Sequence, residues 1–260
     1  SKRLLSNQIN TIYQEGPSSY SSKNEVLYFT RSSKKITKDK RLHLNIFKSS
    51  LIDSKLSPPV KLTLGNVEDN VMHPSFDQEN NVLYFSSNQG ENEDYDIYYN
   101  TLDSIGNFST SRKLPNVNSA ANEAFPFIYK DILFFASNRE GGLGKYDIYY
   151  SKVEGDEFTT PTLLPEPVNS GADDFSFSFS DSMVLGFFSS NREKDSLDIS
   201  YVVKFKPIEG NPDTYQYASF NPIVIENKSV LKNDSIKDNR IPVFNSPKTI
   251  LVQPPQSGVV

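Results

Sequence analysis

One motif recurs four times along the 260-residue chain, and its spacing limits the fold more than any other feature. Val26-Leu27-Tyr28-Phe29, Val82-Leu83-Tyr84-Phe85, Ile132-Leu133-Phe134-Phe135 and Val184-Leu185-Gly186-Phe187 start 56, 50 and 52 residues apart. A period near fifty built on short apolar and aromatic runs is the signature of a β-propeller blade. The two clearest copies supply the internal plan. One runs Phe125-Pro126-Phe127, Ile132 to Arg139, Tyr146-Asp147-Ile148-Tyr149-Tyr150 and Leu163-Leu164-Pro165. The other runs His73-Pro74-Ser75-Phe76, Val82 to Asn88, Tyr95-Asp96-Ile97-Tyr98-Tyr99 and Lys113-Leu114-Pro115. Four segments rich in β-branched and aromatic residues, parted by Asn, Asp, Gly and Ser clusters, predict four antiparallel strands and three turns per repeat. The second segment is almost wholly apolar, as a strand covered on both faces must be.

These repeats predict an all-β chain: a β-propeller of four-stranded antiparallel blades, about four of them visible and belonging to a six-bladed ring, with an extended C-terminal tail. Residues 1–206 hold the blades. Leu5-Ser6-Asn7-Gln8-Ile9-Asn10 parallels Leu114 to Ser119 and Leu163 to Ser170, the end of a blade, so the chain is expected to start in mid-repeat. Residues 207–260 carry 7 of the 16 prolines and only 4 of the 32 Phe and Tyr residues. They read as a linker or tail, with short strands possible at Pro222–Ile225 and Thr249–Val252.

The turn between the second and third strands carries the recurring polar residues. Asn88, Asn138 and Asn191, with Arg139 and Arg192, gather at one end of the strands, where they either line a face or brace the backbone. Asp96, Asp147 and Asp198 open the third strand, where a carboxylate can accept hydrogen bonds from the turn. A basic run, Arg31, Lys34, Lys35, Lys38, Lys40 and Arg41, falls in a long turn of the first copy. It is either a solvated loop or a contact for an acidic partner or an anionic glycan.

Charge is divided along the chain. Residues 1–64 carry a net +8 and residues 65–206 a net −13. An acidic body opposes sequence-independent nucleic-acid binding. With no Cys there is neither a disulfide framework nor a thiolate metal site, and no apolar run is long enough for a membrane-spanning helix. The absence of Trp argues against a WD-type propeller.

Chemistry is sparse. Of the two histidines, His43 lies near a strand and His73 occupies a position that a later copy gives to Phe125, which reads as packing. There is no Gly-x-Ser-x-Gly elbow, no His-x-x-x-His and no phosphate-binding glycine loop. Acids crowd one turn at Glu91, Glu93, Asp94 and Asp96 and recur at Asp173-Asp174, without EF-hand spacing. No cofactor or metal is expected, and the chain is expected to be no enzyme.

The series Phe-Pro, Phe-(Ala/Ser)-Ser-Asn-Arg, Gly-Gly-x-Gly, Asp-Ile-Tyr and Leu-Pro-x-x-(Val/Ile)-Asn-Ser resembles the PD40 repeat of TolB-like propellers. It is carried by Glu15-Gly16-Pro17 with Tyr28 to Arg31, His73-Pro74, Phe125-Pro126 with Phe135 to Arg139 and Gly141-Gly142-x-Gly144, and Asp173 to Phe175 with Phe188 to Arg192. It is most similar to the version found in Bacteroidota outer-membrane proteins of the OmpA family, which includes a type IX secretion component. The resemblance implies a periplasmic, outer-membrane-associated scaffold for other envelope proteins, in secretion or gliding. Peptidoglycan would be met only through a domain outside this chain. Two rival readings remain. A carbohydrate-binding or glycan-processing propeller would show a pocket with non-repeating acids and exposed aromatics. The gating propeller of a prolyl-oligopeptidase-like hydrolase would need a hydrolase domain elsewhere.

Overall fold

In the computed structural model the described residues are 8–33, 42–66, 68–90, 94–155, 157–179, 185–192, 199–205, 222–227 and 250–251. They form β-strands only, in four antiparallel sheets taken in chain order. The first blade joins Glu15–Ser21, Val26–Ser32 and Leu44–Ile52, with Lys55–Leu56 and Val60–Lys61 both pairing the third strand. The second joins Val71–Asp77, Val82–Ser87, Asp96–Thr101 and Arg112–Lys113. The third joins Glu123–Tyr129, Ile132–Ser137 and Asp147–Glu154, with Glu157–Phe158 and Thr162–Leu163 both on the third strand. The fourth runs Asp174–Phe179, Leu185–Ser190, Ile199–Phe205, Pro222–Asn227 and Ile250–Leu251. Its outer two strands come from beyond residue 207.

The sheets are arranged as propeller blades. The first strand of each blade lies beside the first strand of the next, and the second strand packs on the next blade's first strand. The cores therefore lie between sheets. Tyr28 and Ile46 meet Phe76, Leu83 and Phe85 across the first junction. Tyr84 and Ile97 meet Leu133 and Phe135 across the second. Phe134 and Ile148 meet Phe177 and Phe188 across the third. This accounts for the apolar second strands: Ile132–Ser137 is buried at every position, because one face serves the preceding blade and the other the following blade.

The fourth blade departs from the sequence alignment by one residue. Leu185, not Val184, takes the place of Ile132, and Phe187 stands opposite Ser178 as Phe134 does opposite Phe127. In its third strand Ile199 lies opposite Ser190, where Asp147 lies opposite Ser137. Asp198 falls outside the described residues.

Candidate functional site

At the end of the blades where the second strand gives way to its turn, the recurring Asn residues form a relay between neighbours. The Oδ1 atoms of Asn88, Asn138 and Asn191 accept hydrogen bonds from the backbone N–H of Asn70, Asn122 and Asp173, at 2.8, 2.7 and 2.8 Å. The side chains of those three residues in turn accept the N–H of Leu44, Tyr95 and Tyr146 on the preceding blade. Each relay ties one blade's third strand to the next blade's second.

Arginine supplies a second tie. Arg139 Nη2 donates to Glu123 Oε1 at 3.0 Å and to Val117 O at 2.7 Å, and Nε donates to Ser137 Oγ. Arg192 repeats this with Asp174 Oδ1 at 2.5 Å, Val168 O and Ser190 Oγ. Both guanidinium groups lie over a ring of their own second strand, Phe135 and Phe188. The acid is also held from four residues upstream, by Ser119 and Ser170. Arg31 belongs to this set rather than to a solvated basic loop. It is 5% exposed, donates to Glu15 Oε1 at 3.1 Å and grips the carbonyls of Gln8 and Ile9. Lys34, Lys35, Lys38, Lys40 and Arg41 lie outside the described residues. In the second blade Val71 and Gln89 replace acid and arginine together.

Asp147 Oδ2 accepts the turn N–H groups of Leu143 and Gly144 at 2.8 and 2.9 Å, while Oδ1 is buried without a partner. Burial pushes its carboxyl above the usual range, partly opposed by those turn hydrogen bonds. Asp96 is likewise raised by burial and is offset by Lys113, whose Nζ lies 2.8 Å from Oδ2. Gly144 is required here, since a Cβ would come within 1.8 Å of the Ala172 carbonyl oxygen. This end of the ring is a structural brace.

The inner strands create a different environment. They line a half-open cavity of about 660 Å³. Each is interrupted by a bulge, with pairing that skips between Glu15 and Ser18, Met72 and Ser75, Ala124 and Phe127, and Phe175 and Ser178. Bulges re-aim side chains. In three blades the bulged residue is a non-glycine in the left-handed region: His73 at φ +56°, Phe125 at +52° and Ser176 at +56°. The equivalent residue of the first blade is Pro17. The His73 ring stacks on Phe125 with centroids 3.7 Å apart and planes 15° from parallel. His73 Nδ1 accepts the Phe125 N–H at 3.3 Å, and the His73 N–H donates to Thr30 Oγ1 at 2.9 Å. Serines one turn along close the blade junctions: Ser19 Oγ accepts from Phe76 N–H and Ser75 Oγ from Ile128 N–H, both at 3.0 Å.

At the hairpin end of the cavity the lining stops repeating. Asp77, equivalent to Ser21 and Tyr129, binds its own turn through the N–H groups of Glu79 and Asn80. Glu79 is exposed beside it, and Tyr20, on the inner strand of the adjoining first blade, is 48% exposed. A second cavity of about 670 Å³ between the second and third blades shares Asp77 and Lys130 with the first, and adds Tyr84, Tyr99 and Phe158. No cluster of His, Cys, Asp and Glu fit for a metal ion occurs among the described residues.

The sequence does not pair Glu15, Glu123 and Asp174 with the arginines they hold. Their signal was a Thr or Ser four residues upstream of each acid. Asn118 and Asn169 were legible only as part of the Leu-Pro-x-x-(Val/Ile)-Asn-Ser motif. Each accepts the N–H and donates to the carbonyl of the third-strand isoleucine, Ile97 or Ile148. The channel acids Asp77 and Glu79 carried no motif.

No protein-family model matches the sequence, and no curated protein matches it significantly. Solved structures match its fold. A puromycin-hydrolysing peptidase of Mycobacterium tuberculosis aligns at TM-score 0.48 and 9% identity over 75% of this chain, which spans 30% of that protein. The endo-arabinase of Bacteroides thetaiotaomicron aligns at TM-score 0.48 and 18% identity, over 74% of each chain. The β-propeller domain of the Trilobed protease from Pyrococcus furiosus aligns at TM-score 0.42 and 12% identity, over 76% of this chain and 56% of that one. The expectation that the chain is no enzyme is corrected by this company. The matching propellers belong mostly to enzymes, glycoside hydrolases among them, so neither the fold nor the lack of a familiar motif sets the chain apart from catalysis. At these identities the likeness is one of fold alone.

Proposed function

We propose that this chain is a carbohydrate-binding propeller that takes its ligand in the central channel. The observation that carries the reading is the channel mouth. There Tyr20, 48% exposed, lines the cavity together with Glu79 and with Asp77, an acid that stands where the first and third blades have Ser21 and Tyr129. Aromatic rings give flat apolar faces to sugar rings, and fixed polar groups orient hydroxyls in a concave site of this size. Repeating residues are accounted for by the braces, whereas a ligand site on a repeat protein is expected where the repetition breaks. The resemblance to PD40 repeats further supports work in the bacterial envelope, where such a propeller would meet glycans and other envelope proteins together.

The test is calorimetric titration of the chain with neutral oligosaccharides of three to six sugars, with released reducing ends followed in parallel. Saturable binding that Tyr20→Ala and Glu79→Gln weaken is the expected result. No heat and no sugar release across the series overturns the reading.

A further inference from the structure

We propose that His73 is the ligand-recognising residue of the channel, presenting its Nε2–H as a fixed hydrogen-bond donor to an uncharged oxygen of the ligand. This rests on the carbohydrate reading above and names the group that discriminates within it.

Three contacts hold the imidazole. Its backbone N–H is tied to Thr30 Oγ1, its face lies on Phe125, and its Nδ1 accepts the Phe125 N–H. The last contact sets the tautomer. A neutral imidazole whose Nδ1 accepts must carry its proton on Nε2. His73 is only 9% exposed and lines the cavity, and its Nε2 makes no hydrogen bond among the described residues. Burial also lowers its pKa to about 3, so the donor is uncharged near neutral pH. A neutral donor favours a neutral acceptor, such as a hydroxyl, ring oxygen or acetamido carbonyl, over a carboxylate or phosphate. Because the three contacts fix the ring before binding, little side-chain freedom is lost when the ligand arrives.

Variation at the bulge supports a recognition role. Pro17, His73, Phe125 and Ser176 occupy equivalent places at the bulges of four blades. Only His73 brings an aromatic ring with a donor. Phe at this place, as in the third blade, serves packing alone.

The experiment compares the full chain with His73→Phe and His73→Asn in titrations with the same neutral oligosaccharides. Asn tolerates the left-handed backbone and keeps an acceptor and a donor on one group. Phe is expected to bind about tenfold more weakly, the worth of one hydrogen bond left unmade, and Asn to recover part of that loss. Imidazole nitrogen NMR on the unmodified protein gives a readout that packing would not move. The His73 signals should report the Nε2–H tautomer and shift on adding sugar, with His43 as the internal reference. If the protein binds sugar and His73→Phe binds within twofold of it, the inference fails while the carbohydrate reading stands. If the Phe variant does not fold, an Nδ1–H tautomer or an unmoved imidazole signal at saturation overturns it instead. If the unmodified protein binds no sugar, both fail together.

Discussion

Glu123 and Arg139 form the brace whose energetics can be worked most fully, because the chain contains its own control. Glu123 is fully buried, and its carboxylate takes hydrogen bonds from Ser119 N–H and Oγ, Ser137 Oγ and Arg139. Arg139→Gln leaves that charge buried with neutral donors only, a loss of about 3–5 kcal/mol for a broken buried pair. Glu123→Val is milder. The arginine side chain is 17% exposed and keeps Val117 O and Ser137 Oγ, so the cost is about 1–3 kcal/mol. The second blade makes both replacements at once, with Val71 buried and Gln89 at the arginine's place. The double variant Glu123→Val, Arg139→Gln should therefore cost about 1–3 kcal/mol rather than the sum, a coupling of about 3–5 kcal/mol. Urea unfolding of the four proteins measures it, provided the slopes agree. Additivity within about 0.5 kcal/mol would refute the argument.

Asn169→Ala should lower stability by about 2–4 kcal/mol in the same assay. It removes bonds to Ile148 N–H, Ile148 O and Leu164 O and leaves those groups buried; a loss under about 1 kcal/mol would mean that water replaces the amide. His73 makes the fold acid-sensitive. Its native pKa is lowered to about 3, so the unfolded chain takes up a proton near the ordinary histidine value while the folded one does not. The contribution is complete above that value and falls as pH drops from about 6.5 toward 3, by up to about 1.4 kcal/mol per pH unit. Unfolding midpoints of His73→Phe should decline less over this range than those of the unmodified protein, and parallel declines would contradict the assignment.

The packing of the blades was legible because it depends on residue types that repeat in linear order. An apolar second strand with a Ser-Asn-Arg end is visible without coordinates. The partners of that arginine were not, because Glu123 and Asp174 lie on a different strand, just before a bulge that shifts the register by one. The fourth blade was misaligned for a related reason. Val184 lengthens its apolar run, and Gly186 occupies the place that Leu27, Leu83 and Leu133 fill elsewhere, so hydrophobicity marked the run but not its starting residue. His73 was matched correctly to Phe125. The pairing of its Nδ1 with the next blade's backbone depends on a positive φ, however, and no pattern of residue types encodes that angle. Asp77 and Glu79 escaped notice because they occur once, and a search for repetition passes over them.

The arginine ties also bear on how such a chain can lengthen. Each repeat ends in a loop that offers carbonyls, as at Val117 and Val168, and carries near its middle the guanidinium that seizes the same carbonyls of its predecessor. The third repeat thus bears both the hook, Arg139, and the eye, the Val168 carbonyl. A repeat copied within the gene would arrive able to clasp whichever neighbours it lands between, with no matching change required on either side. The second blade, which has lost its hook, shows that one link can go slack while the array still holds.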